Sequence, residues 1–248
     1  MAWELGANYG HLVACLRIAQ GLRQRRHAVV FAVRDTRAAA EVLSPAGFSF
    51  VQAPVSACKA RLSRPPANAS EILLGEGYAD PLGLLGTVCA WRSLIKLCQP
   101  DVLVAEYAPT AMLAAHATAT PYLAVANGFG VPPRVSPLPS IRPWERIPAA
   151  RLAHADQSVN AAIAEVMKAV GVKHSPTLVD LYDNALLCIF EELDPFGPRT
   201  GGHYIGPIFA LPGARTATWP EVATRRILAY LRPDVAGFSP LMAALAAT

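Results

Sequence analysis

Four short, apolar runs with helical patterns between them constrain this fold more than any other feature. Ala28 to Val33 (AVVFAV), Val102 to Ala105 (VLVA), Tyr122 to Ala126 (YLAVA) and Ala185 to Phe190 (ALLCIF) contain no alternating polar positions. A strand with one face in water alternates, so continuous runs of this length are expected inside a parallel sheet covered on both sides. Phe48, Phe50 and Val51 lead a further strand, and Met1 to Glu4 offers a stub that reads as a first strand cut short.

The intervening segments carry helical spacing. Leu12, Cys15, Leu16, Ala19 and Leu22 share one face of a helix, with Arg17, Gln20, Arg23 and Gln24 opposite. Gly21 costs about 1 kcal/mol there against alanine, so packing is expected to hold it. Asp35 caps a helix over Thr36 to Leu43, and Asp80-Pro81 opens another with Leu84, Leu85, Val88, Ile95 and Cys98 on its apolar face. Pro109 to Ala117 and the stripe Val159, Ala162, Ile163, Val166, Met167 and Val170 give two more helices, and Ser175-Pro176 starts a short one. A polar loop runs to about Ser70, and Val131 to Pro148 is a long proline-rich loop. Repeated strand–helix units with short turns predict an α/β fold, a doubly wound, Rossmann-like parallel sheet. Residues 1–209 make that domain and 210–224 a Pro/Gly/Ala linker. Residues 225–248 add one strand (Ile227 to Leu231) and one helix (Pro240 to Ala247). That is too little to bury a core, so it reads as the truncated start of a second domain.

Composition narrows the function. A hydrophobic fraction of 53% with 16% charged residues suits a globular chain with a sizeable core. A net charge of +4 without a basic and aromatic stripe is a poor nucleic-acid footprint. Cys15, Cys58, Cys89, Cys98 and Cys188 form no CxxC pair and read as buried thiols in a reducing compartment. The six histidines lie far apart, with no metal-ligand spacing. No apolar run is long enough to span a bilayer and no signal-peptide pattern is present, so the cytoplasm is the expected location.

The stretch LGANYGHL places chemistry at the first strand–helix junction. In open α/β sheets, ligands bind beyond the carboxyl ends of the strands. A dinucleotide fold asks for GxGxxG, whereas Gly6 and Gly10 here bracket Ala7, Asn8 and Tyr9, and Asp35 is as easily a helix cap as a ribose ligand. A P-loop asks for Lys-Ser/Thr after its second glycine, where this chain has His11-Leu12. His11 instead suits a base: a helix N-terminus disfavours imidazolium and leaves a ring able to accept a proton. Glu106, ending the fourth strand on the same sheet edge, is the candidate orienting acid. On spacing alone a second reading stands, with His11 a helix-end residue and Glu106 a solvated strand tip. Glu191-Glu192 cannot act as a glycosidase pair, because neighbours on a strand point to opposite faces.

LGANYGH, LRIAQGLRQRRHAVVFAV, PDVLVAEYAPTAMLAA, YIGPI and RRILAYLRP, in that order, resemble the N-terminal half of a GT-B glycosyltransferase of family 1, the bacterial UDP-glycosyltransferase-like enzymes. The resemblance implies that His11 deprotonates an acceptor hydroxyl, which attacks a nucleotide-sugar with inversion, and that Glu106 stands where the family has an orienting aspartate. Acceptor contacts are expected from loops at the carboxyl ends of the strands, with Tyr9, Tyr107, Asn127 and Phe129 as candidates, and the apolar character of the nearby segments suggests a hydrophobic small-molecule acceptor. No cofactor is implied; the UDP- or dTDP-linked sugar is a co-substrate, gripped by a C-terminal half that this chain would need as a complement. The chain alone is therefore expected to be inactive, and self-association through the face left by that half is expected. Arg26 departs from the family's glycine before the second strand, where a left-handed cap without glycine costs about 1 kcal/mol. Two alternatives accompany this reading: a non-catalytic acceptor-binding or docking half of a split enzyme, and a family 28-like transferase acting on lipid or sterol acceptors, whose glycine turn is richer than Gly6 and Gly10.

Overall fold

The apolar runs become the interior of one sheet. The computed structural model describes residues 1–7, 9–208, 218–219, 227, 233 and 237–246. Strands β1 (Ala2–Trp3), β2 (Val30–Val33), β3 (Ser49–Gln52), β4 (Leu103–Glu106), β5 (Tyr122–Ala126), β6 (Ala185–Leu187) and β7 (His203–Tyr204) pair in the order β3-β2-β1-β4-β5-β6-β7. Every pairing is parallel. The chain winds outward from β1 to β3, returns to the centre and winds outward again from β4 to β7. The winding direction reverses between β1 and β4, where a doubly wound sheet opens its binding crevice.

Helices cover both faces: α1 (Tyr9–Gln24) and α2 (Thr36–Val42) on one, α4 (Pro81–Cys98), α5 (Pro109–Ala117) and α6 (Ala149–Ala169) on the other, with α3 (Ala69–Leu73) beside α6. Successive strand residues divide between the two cores, as the pleat requires: Trp3, Phe31 and Val33 join Leu12, Leu16 and Leu43, while Ala2 and Ala32 face Trp91 and Met112. Asp35 caps α2 as expected, its carboxylate accepting the Ala38 N–H at 3.0 Å. Chain contacts separate Met1–Leu211 from Pro212–Thr248. In the second unit the described helix is α7 (Phe238–Ala246). The expected strand Ile227 to Leu231 lies outside the described residues, apart from Ile227.

Several expectations are corrected. The strand β2 starts at Val30 rather than Ala28 because its pairing with β3 begins there, opposite Ser49. β6 stops at Leu187, the last residue with a β7 partner, and Glu191–Leu193 forms a 3-10 turn, so Glu191 and Glu192 are not the strand neighbours expected. The helix α6 begins at Ala149, well before Val159, directly after Pro148. A helix, α3, stands at the end of the expected loop, started by Asn68, whose side chain accepts the Glu71 N–H at 3.0 Å. On α4 the buried face is Leu84, Val88, Trp91 and Ile95, and Cys98 is exposed. Three thiols expected to be buried, those of Cys58, Cys89 and Cys98, face solvent. Nothing packs tightly over Gly21: a Cβ there would meet only the tip of Arg25 at 3.7 Å.

Arg26 adopts φ +67°, the left-handed cap that its position demanded. The His27 N–H reaches the Leu22 carbonyl at 3.1 Å and the Arg26 N–H the Arg23 carbonyl at 2.9 Å, which together form a Schellman ending with arginine where glycine fits best. Arg26→Gly relieves the Cβ clash but loosens the unfolded chain, so a net gain of about 0.5–1 kcal/mol is expected in urea unfolding. A destabilised variant would show that the arginine side chain stabilises the cap.

Candidate functional site

The junction after β1 and the tip of β4 meet at the switch point. Trp3 pairs with Glu106 in the sheet register, which sets the carboxylate beside the first turn of α1. His11 in that turn places Nδ1 2.9 Å from Oε1 and 2.7 Å from Oε2 of Glu106. The extra methylene of glutamate thus still brings both oxygens within reach. Side-chain exposures of 24% for His11 and 10% for Glu106 put the pair at the wall of the crevice rather than in bulk water.

Two aromatic rings stack with the imidazole: Trp3 at 5.6 Å between centroids and Tyr107 at 6.1 Å, each 21° from parallel. The Phe129 ring meets Tyr107 edge-on at 6.2 Å, so the loop after β5 joins the wall. With Nδ1–H donated to Glu106, Nε2 carries the lone pair and can accept a proton, and Glu106 steadies the imidazolium that results. Gly6 provides the space at that nitrogen: it has φ +81°, and a Cβ there would lie 2.3 Å from Nε2. Gly10 lies within α1 with open space around it, so only the first glycine of the turn is sterically required.

The remaining sequence candidates diverge. Tyr9 is 47% exposed and donates its hydroxyl to Glu41 on α2, so it is not among the rings around His11. Asn127 accepts the Gly130 N–H at 3.0 Å through its side-chain oxygen and shapes the turn that carries Phe129. Burial pushes the Tyr107 phenol well up, which keeps it neutral. Among the described residues, no three His, Cys, Asp or Glu side chains converge as metal ligands, and no helix is long and apolar enough to cross a membrane. A cavity of about 710 Å³ lies along the β6–β7 edge, walled by Val131, Pro133, Tyr182, Leu187 and Phe196.

Two acids escaped the sequence reading. Asp194 joins Arg199 beneath the loop of Phe129, with Nε to Oδ2 at 2.8 Å, while Arg199 donates to the carbonyl of Gly128 at 2.7 Å. Glu4 is 4% exposed and accepts the N–H groups of Thr110 at 2.9 Å and Ala111 at 3.3 Å. The signal for Glu4 was present: α5 starts after Ala108, which cannot cap it, so the orphan N–H groups needed an acceptor from elsewhere. Burial pushes the Glu4 carboxyl up to about 7 from an ordinary 4.5, against the pull of the Thr110 hydroxyl and the two N–H groups. Below pH 4.5 both the folded and unfolded states hold the proton; between 4.5 and 7 only the unfolded chain releases it. Stability is therefore lost as pH rises through that window, by about 3 kcal/mol, and Glu4→Gln escapes the loss. Urea unfolding across the window checks this: the variant gains on the wild type as pH rises, and parallel profiles would refute it.

No protein-family model matches this chain, and no curated protein does. Solved structures do. The glycotransferase of kitacinnamycin aligns with a TM-score of 0.53 at 18% identity, over 84% of this chain and 51% of its own. The spinosyn rhamnosyltransferase SpnG, solved with spinosyn aglycone, aligns with a TM-score of 0.52 at 16% identity, over 99% of this chain and 61% of its own. This chain thus spans between half and two thirds of the length of these neighbours. At such identities the likeness speaks for architecture: the chain has the α/β, Rossmann-like fold of one half of a GT-B glycosyltransferase.

Proposed function

We propose that this chain is the acceptor-binding half of an inverting glycosyltransferase, with His11 as general base and Glu106 as the carboxylate that orients it. The observation that carries the reading is the contact of His11 Nδ1 with both Glu106 oxygens at the switch point of the sheet, with Nε2 opposite the bare Cα of Gly6. An acceptor hydroxyl gives its proton to Nε2 while its oxygen bonds to the anomeric carbon of a nucleotide-sugar. The bond from that carbon to the diphosphate oxygen breaks, the electron pair leaves with the nucleotide, and the configuration inverts.

Tyr107 and Phe129 line the approach to His11. SpnG is a neighbour solved with an aglycone, and by analogy the acceptor here is a hydrophobic small molecule bearing a hydroxyl. The cavity along the β6–β7 edge has a volume typical of small-molecule sites; its wall mixes prolines and aromatic rings with Arg134, Asp183, Arg199 and His203, and His11 and Glu106 are not part of it. Donor contacts belong to a complementing half. The test joins this chain to the donor-binding half of a structurally similar glycosyltransferase and measures sugar transfer to aglycones with His11 present or replaced. Transfer that does not depend on His11 overturns the reading.

A further inference from the structure

The segment that carries Glu106 is strained, and it is held from one side. Tyr107 has φ +47°, a left-handed conformation that costs a non-glycine residue about 1–2 kcal/mol and persists only where the surroundings enforce it. Two consecutive residues at the end of β1 do so. The Leu5 N–H donates to the Tyr107 carbonyl at 3.0 Å. The Glu4 carboxylate accepts the Thr110 and Ala111 N–H groups, and the Thr110 hydroxyl is itself 3.0 Å from that of Tyr78. The bonds fall at and just beyond the strained residue, and among the described contacts Ala108 contributes no side-chain cap of its own.

We propose that Glu4 is a positioning residue: by capping α5 from the neighbouring strand it keeps Tyr107 left-handed and Glu106 aimed at His11. Its hydrogen bonds go to Thr110 and Ala111 rather than to His11 or Glu106, and the proposal rests on the functional reading above only for the importance of that aim. The geometry makes the dependence specific. Without an acceptor, two buried N–H groups must find water, which turns the start of α5 outward and releases Tyr107 to the right-handed or extended regions. Glu106, the residue before it, then swings off Nδ1.

The experiment reads the imidazole directly in the ¹⁵N-labelled full chain. The His11 ring is assigned by its disappearance in His11→Gln, and its tautomer and Nδ1–H exchange are followed. Wild type is expected to hold the Nδ1–H form with slow exchange. Glu4→Ala and Glu4→Asp, the latter drawing the carboxyl back by one methylene, are expected to mix the tautomers and speed exchange at least about tenfold. Glu4→Gln, whose amide oxygen can accept the same two N–H groups, is expected to restore the wild-type signature. Unchanged His11 signals in Glu4→Ala, or in Glu4→Asp should the alanine variant not fold, overturn the proposal, as does their loss in Glu4→Gln. Sugar transfer is not the readout, so a chain with this signature that never transfers a sugar refutes the function while leaving the positioning role intact.

Discussion

His11→Ala, in the chain joined to a donor-binding half, lowers kcat for sugar transfer by about 10²–10⁴-fold, the ordinary contribution of a positioned general base. KM for the acceptor changes little, because the imidazole acts on a proton that moves only in the transition state. The ring stacks with Trp3 and Tyr107 and is tied to Glu106, so it enters the reaction already oriented. Glu106→Gln provides a second reading of the same pair. Its amide can turn a donor toward Nδ1, which moves the ring proton to Nε2 and leaves no lone pair for the acceptor. A substantial loss is therefore expected although the side chain keeps its size. Steady-state kinetics decide it: wild-type kcat in His11→Ala removes the base, and wild-type kcat in Glu106→Gln removes the orienting role.

The sequence made the sheet legible because its strands are two-sided. A run such as Tyr122 to Ala126 has no polar position to place in water, and it forms β5 with the expected bounds. Strands defined by pairing alone were not legible: His203–Tyr204 is a strand only because Leu186 and Leu187 lie beside it. The candidate base could be found from its place after the glycine turn, and Glu106 from its place at a strand tip. Their pairing was expected from the shared sheet edge, but its geometry, with both Glu106 oxygens at Nδ1, was not, since it depends on β1 and β4 sharing a register that no local pattern encodes. Tyr9 shows the converse. Its neighbours in sequence suggested the crevice, and nothing local announced that, as the first residue of α1, it would donate its hydroxyl to Glu41 of α2. Glu4 looked like the polar end of a strand stub; its burial is created by α5, more than a hundred residues later in the chain. Backbone demands were legible only in part: Arg26 was expected to be left-handed from the glycine that the resembling family carries there, and is, whereas the left-handed Tyr107 had no such signal.

Breaking the pair beneath the Phe129 loop has the largest expected effect on stability. Asp194 is 7% exposed, and its carboxylate receives Arg199 at 2.8 and 3.1 Å, the Tyr204 hydroxyl at 2.9 Å and the Phe196 N–H at 3.0 Å. Arg199 passes the constraint on to the carbonyls of Gly128 and Val131 at 2.7 and 2.5 Å, which brace the loop. Removing one member of such a buried pair strands its partner, so Asp194→Ala costs about 3–5 kcal/mol. Asp194→Asn costs less, since it preserves the size of the side chain and an oxygen for Tyr204 or Phe196. Burial alone would raise the Asp194 carboxyl, but the Arg199, Phe196 and Tyr204 hydrogen bonds and the Arg199 charge outweigh it and hold it below the usual carboxylate range. Its contribution is therefore present above the unfolded value near 3.8 and is lost as pH falls through the lower folded value. Urea unfolding at neutral and acid pH separates the possibilities: the gap between wild type and Asp194→Ala should narrow on acidification. A neutral-pH difference under about 1 kcal/mol would mean that the pair is screened like one at the surface. The loop of Phe129 would then owe its position to the packing of Gly128 against Pro195, where a Cβ would come within 2.7 Å of the ring.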